Sequence, residues 1–266
     1  MTEPEPDSER DPETESEPGS EPLADPIEEG QRVIEAADER ELVVRLIGGT
    51  AINRHAETAR EEPFKRGYRD VDFVATREDE TEIIELMKDL GYEANERFNT
   101  MRRFRLEFTD PVNERKADYI IDRFDFCHAW GMRDRVDRDH PTIPIEDLLL
   151  SKLQIVGVSD RDVKDIIAMV ADHPVESDSD DTETIDPEYI ADLCSGDWGL
   201  WRTVTLSLDR IDEYVANNDL PLDEAEIADR VGALRGAIDD SSKSVRWRLR
   251  SVVGERKQWY KRPELG

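Results

Sequence analysis

The sequence predicts an α/β (α+β) fold, with a mixed central sheet flanked by helices and then a helical C-terminal region. Three observations carry this reading. From Ile27 to about Asp172, amphipathic stretches of helical period alternate with short β-prone runs. Turn-forming glycines stand where one pattern gives way to the other, most clearly at Gly48-Gly49. After Asp186 the β-prone runs stop and helical patterning continues alone, so the sheet belongs to the first part of the chain.

Taken in order, residues 1–26 consist mainly of Glu, Asp, Pro and Ser. They read as a disordered acidic tail, because so little apolar surface cannot offset the entropy of ordering. A helix is expected over Ile27–Glu41, then a strand over Leu42–Ile47 that Gly48-Gly49 terminates. A second helix is expected from Thr50, a strand over Val71–Ala75 and a helix over Glu78–Leu90. Strands follow near Arg103–Phe108 and Lys116–Ile121. Helices over Ile145–Val156 and Arg161–Ala171 complete a unit of residues 27–172. The stretch 176–184 has no apolar residue, so 173–185 reads as an acidic linker or exposed loop. Residues 186–266 form the helical region, with helices expected near 187–194, 200–217, 223–238 and 241–260.

Charge narrows the function classes. The 266 residues carry a net charge of −29, and only 8 of the 36 basic residues are Lys. Residues 1–30 hold 12 acids and one Arg, so most of the excess lies outside the tail. This profile fits a salt-adapted (halophilic) protein, whose self-repelling surface is tolerated where salt screens it. It argues against broad non-specific binding to nucleic acid or anionic membrane. The two cysteines, Cys127 and Cys194, form no metal-binding pattern, and the four histidines are scattered, so neither type is assigned a role. No apolar run approaches membrane-spanning length and no signal pattern opens the chain, so a cytoplasmic location without membrane association is expected.

The chemically informative residues are Asp70 and Asp72, which alternate with Val71 and Phe73. In a strand the two carboxylates project from one face while the apolar pair enters the core. Two hard oxygen donors on a rigid strand suit Mg²⁺, although in so acidic a chain this spacing alone also describes a solvated strand face. Upstream, Gly48, Gly49 and Thr50 sit at a strand-to-helix junction, where glycines admit a phosphate to unpaired helix N–H groups. For a third carboxylate, Asp118 and Asp122 share strand parity but stand about 13 Å apart along an extended chain, so only one can join the pair. Asp118, between Ala117 and Tyr119, is preferred over Asp122 at the end of the run.

In these motifs the chain resembles the nucleotidyltransferase superfamily of DNA polymerase beta type, particularly its minimal branch that includes the abortive-infection toxins of AbiE type. The resemblance spans about residues 30–172. It rests on Gly48-Gly49-Thr50-Ala51-Ile52, on Arg66-Gly67-Tyr68-Arg69-Asp70-Val71-Asp72, on Asp118, on Leu148 through Lys152-Leu153, and on Arg161-Asp162 with Asp165. Two features depart from the family pattern: the long separation of Gly49 from Asp70, and a hydroxyl carried by Thr50 rather than by a Ser directly after the first Gly. The resemblance implies a nucleotidyltransferase fold and transfer of a nucleotide from an NTP to an acceptor such as a tRNA, a protein or a small molecule. It implies Asp70, Asp72 and Asp118 as catalytic residues and ligands of Mg²⁺ or Mn²⁺, with Asp118 as general base. Gly48, Gly49, Thr50, Arg66, Lys152 and Arg161 are the implied nucleotide-binding residues. For Lys152 and Arg161 a role in orienting Asp162 and Asp165, for Lys152 an ordinary helix position, and for Arg161-Asp162 a helix-capping role, remain alternatives. A toxin–antitoxin component with an antitoxin partner is also implied, and a catalytically inactive nucleotide-binding or regulatory module on the same fold is the alternative.

Residues 241–266 reverse the overall sign, carrying eight basic and two acidic residues with Trp247, Trp259 and Tyr260 interleaved. Such a segment offers stacking surfaces to a tRNA or RNA acceptor. The competing reading docks it on the protein's own acidic surface.

Overall fold

The computed structural model describes residues 21–262. Helix α1 (Pro26–Asp38) starts at Asp25, whose carboxylate accepts from the N–H groups of Ile27 and Glu28, with Pro26 in the first turn. Strand β1 (Val44–Ile47) leads directly into α2 (Gly48–His55), and β2 (Val71–Ala75) follows a long connection. Helix α3 (Glu80–Asp89), strand β3 (Glu93–Ala94), helix α4 (Glu96–Met101) and strand β4 (Arg105–Asp110) precede β5 (Arg115–Ile121). A small hairpin of β6 (Arg123–Asp125) and β7 (Ala129–Gly131) comes next. Helices α5 (Ile145–Leu153) and α6 (Asp160–Asp172) are followed by α7 (Pro187–Gly196), α8 (Trp198–Asn217), α9 (Glu224–Asp240) and α10 (Val245–Val253).

The main sheet runs in the order β1-β2-β5-β4-β3. β2 and β5 are parallel, and every other neighbouring pair is antiparallel. A parallel neighbour requires a crossover, supplied here by the segment from α3 to β4. Along β2 and β5, Val71 and Phe73 share a face with Ala117 and Tyr119. Phe73 stacks on Tyr119 at 4.8 Å, and the Tyr119 hydroxyl reaches Met87 of α3. That face is buried beneath α1 and α3. Asp72 and Asp118 belong to the opposite face, towards α2, α5 and α6.

Helices α7, α8 and α9 pack on α5 and α6, α10 rests on α7 and α8, and the buried apolar cluster runs continuously from Val33 to Ile238. The segment 173–185 is a loop pinned at its ends. Val175 and Ile185 form a parallel bridge, and Thr184 and Ile185 are buried while 176–183 is exposed.

Four features differ from the sequence reading. Residues 1–20 of the expected tail lie outside the described residues, but Pro22 is buried and Leu23 is held, its N–H donating to Glu29 and its carbonyl accepting from Arg115. The order therefore begins before residue 26. The hairpin β6–β7 was not anticipated, because its connection Phe126-Cys127-His128 has none of the Gly, Asn or Asp residues that announce a tight turn. Strand β3 and helix α4 are too short to show a period. The expected helix over 241–260 shrinks to Val245–Val253: Ser244 caps its start, and Gly254, at φ +56°, ends it.

Candidate functional site

The register of the parallel pair sets Asp72 directly opposite Asp118. Asp70 lies exposed just ahead of β2, and Asp122 is excluded from the group. Asp122 sits beyond β5 at φ +57° and accepts from the Arg77 N–H at 3.1 Å. Burial, reinforced by the charges of Asp118 and Asp70 and opposed by Lys152 and Arg105, pushes the Asp72 carboxyl up to about 7. Burial likewise raises Asp118, against the pull of Arg105, whose Nη2 lies 3.1 Å from Asp118 Oδ2. The other oxygen, Asp118 Oδ1, is buried with no hydrogen-bond partner. Crowded carboxylates with an unmatched buried oxygen are a hard-donor set suited to a divalent cation such as Mg²⁺ or Mn²⁺.

The glycine pair borders these carboxylates. Gly48 has φ +76°, and a Cβ built there would lie 2.7 Å from Asp72 Oδ2. A Cβ on Gly49 would strike the Arg66 guanidinium and come within 2.7 Å of the Tyr68 ring. Helix α2 starts here without a side-chain cap, and the first N–H groups of a helix have no intrahelical partner. The cleft is lined by Gly48, Gly49, Arg66, Tyr68, Arg69, Asp70, Asp72, Lys152, Ser159, Arg161 and Asp162. Thr50, expected to bind nucleotide, is buried and does not line it; its hydroxyl has no partner.

The cations differ in availability. Arg66 donates from Nε and Nη2 to the two oxygens of Asp165 at 3.0 and 2.8 Å and stacks over Tyr68. Lys152 Nζ lies 2.9 Å from both Asp162 Oδ1 and Asp165 Oδ2. Burial works against the Lys152 charge, but the two carboxylates outweigh it and raise its pKa. Of the three cations expected to meet nucleotide, Arg66 and Lys152 are thus engaged by acids of α6, the Lys152 contacts ruling out an ordinary solvated position. Arg161 and Arg69 are exposed on the rim, and among the described residues no ion pair ties either one. The cap of α6 is Ser159, which accepts from the Asp162 N–H, rather than an Arg161-Asp162 arrangement.

Sequence reasoning missed Arg105, Tyr68 and Arg69. Arg105 reaches Asp118 from the neighbouring strand β4, a pairing that no local spacing signals. The aromatic residues of the basic C-terminal segment are also placed differently from free stacking surfaces. Trp247 packs on Trp201, and Trp259 packs on Trp198 and donates to Thr203. Lys261 pairs with Asp125, as the docking alternative requires, while Arg246 and Arg248 stay exposed.

Compared with models of known families and with curated proteins, the chain matches none. Among the described residues no helix is long and apolar enough to cross a membrane.

Proposed function

We propose that the chain is a metal-dependent nucleotidyltransferase, moving a nucleotide from an NTP to an acceptor hydroxyl. The observation that carries the proposal is the in-register pair Asp72 and Asp118, with one buried carboxylate oxygen unmatched, beside the glycine-opened start of α2. Asp70, Asp72 and Asp118 would hold Mg²⁺ or Mn²⁺. When bound, such ions neutralise charge developing on phosphoryl oxygens and on the attacking and leaving groups.

The chain's own residues supply the rest. The first N–H groups of α2 would donate to phosphate oxygens, and Gly48 and Gly49 let those oxygens come close without a side chain in the way. Arg161 and Arg69 on the rim add charge for the triphosphate. Arg66, Lys152, Asp162 and Asp165 act by positioning, since their network ties the segment carrying Asp70 to α5 and α6. Asp118 accepts the proton of the acceptor hydroxyl at Oδ1 while Arg105 holds Oδ2. The test is transfer of label from an α-³²P NTP to acceptors in a desalted extract. Asp72→Asn should abolish it, and undiminished labelling by that variant overturns the assignment.

The Arg105–Asp118 ion pair favours a second reading, an inactive nucleotide-binding module in which Arg105 takes a cation's place. In that case the parent chain would bind NTP without turnover and without need of Mg²⁺, and Arg105→Ala would weaken that binding or make it depend on Mg²⁺.

A further inference from the structure

The fold brings together two histidines that the sequence leaves apart. His55 lies in the last turn of α2, His173 is the residue that ends α6, and Glu183 comes from the exposed loop between them and α7. We propose that His55, His173 and Glu183 form a binding site for a borderline divalent cation of the Zn²⁺ type, which fastens the 176–183 loop to the core. This site is independent of the carboxylates of the cleft.

Geometry is the first argument. Nδ1 of His55 lies 3.3 Å and Nδ1 of His173 lies 3.4 Å from Glu183 Oε2. One donor atom from each residue falls within 4.8 Å of the other two. Tetrahedral bonds of about 2.0–2.1 Å set ligand atoms roughly 3.3–3.4 Å apart, so two of the three edges already fit.

Proton placement is the second argument. The Thr142 hydroxyl donates to the Ile143 carbonyl, so it accepts from His55 Nε2, 2.6 Å away. A neutral His55 then carries its proton on Nε2 and turns the lone pair of Nδ1 towards the carboxylate. His173 has Nδ1 2.9 Å from the Glu183 carbonyl oxygen, and its Nε2 is buried with no partner. Without a metal, His173 Nδ1–H donates to that carbonyl while His55 Nδ1 and Glu183 Oε2 meet as two acceptors; a cation resolves that mismatch, with the His173 proton then carried on Nε2. Thr142 serves as the outer partner that fixes ring orientation in metal-binding histidines.

The surroundings agree. Two helix C-termini, those of α2 and α6, converge here with the negative ends of their dipoles. Both imidazoles are buried, whereas the Glu183 side chain is 55% exposed, which leaves an entry path and an open position for water. Two imidazoles with one carboxylate suit Zn²⁺ rather than Mg²⁺.

The experiment is Zn²⁺ titration of the metal-stripped full chain by calorimetry, alongside Glu183→Gln, Thr142→Val and the double variant Asp72→Asn/Asp118→Asn. The double variant should keep one Zn²⁺ per chain, because it removes only the cleft site. Glu183→Gln should weaken that binding at least tenfold, and Thr142→Val should weaken it about tenfold. Saturating Zn²⁺ should raise the Tm of the parent and of the double variant but not of Glu183→Gln. Since Glu183 is exposed, its replacement leaves the fold intact, as a metal-free melt would verify. Equal Zn²⁺ affinity in the parent and Glu183→Gln, or no binding by the double variant, overturns the proposal.

Discussion

At the scale of single residues, Asp72 shows how a site trades stability for readiness. It stands opposite Asp118 and near Asp70, three like charges held together by strand geometry. Asp72→Asn should therefore raise the metal-free Tm by a few degrees at neutral pH, and added Mg²⁺ should raise the Tm of the parent but not of the variant. A lower Tm for the variant in differential scanning calorimetry contradicts this account. His128 gives the pH dependence. Burial pushes its pKa down to about 4, and its Nε2 lies 2.8 Å from the Thr203 hydroxyl between the hairpin and α8. The unfolded imidazole takes its proton near 6.5, so between about 6.5 and 4 the unfolded chain binds more protons and stability falls as pH falls. Melts of His128→Gln should lose this part of the slope between pH 6.5 and 5; an unchanged slope refutes it. The shared sheet face of Asp72 and Asp118 was legible in the sequence because a strand has a period of two. The pairing of Arg66 with Asp165 was not, because only the packing of α6 brings it about, whereas Asp162 and Asp165 were already candidate partners of Lys152.

At the scale of elements, the junction of β1 and α2 determines whether the cleft exists. Gly48 occupies left-handed backbone, and any Cβ would collide with Asp72. Gly48→Ala should cost roughly 1–2 kcal/mol from the backbone alone. By displacing the carboxylate it should also reduce transfer by more than tenfold, measured as labelling at saturating NTP. Full activity with unchanged stability would mean that the junction does not shape the site. The β1, α2 and β2 elements were readable from β-prone runs and the glycine pair, β2 over its whole length Val71–Ala75. The hairpin, β3 and α4 escaped because runs of two to six residues carry too little periodicity. The C-terminal helix was overextended because a basic, aromatic-rich run looks helical until the backbone reversal at Gly254 is known.

At the scale of the whole molecule, the net charge of −29 spreads over a surface whose acids repel one another in dilute buffer. The screening length falls from about 10 Å at 0.1 M salt to about 3 Å at 1 M. Thermal melts should accordingly rise between low and molar KCl, and a Tm unaffected by KCl contradicts salt adaptation. The mixed sheet and helical C-terminal region were visible in the pattern of elements. The shared core joining them was not, since the acidic stretch 176–183 looks like a spacer until the bridge between Val175 and Ile185 is seen. Both units thereby share one core, and in the first of them Asp118 lies on the strand beside Asp72, a residue of the cleft. The most direct test of that site's chemistry runs parallel reactions with α-³²P and γ-³²P NTP, comparing the parent chain with Asp118→Asn. The account predicts α label on the acceptor and γ label in pyrophosphate, both lost in the variant. Appearance of γ label on the acceptor, or α-label transfer that survives Asp118→Asn, would contradict it.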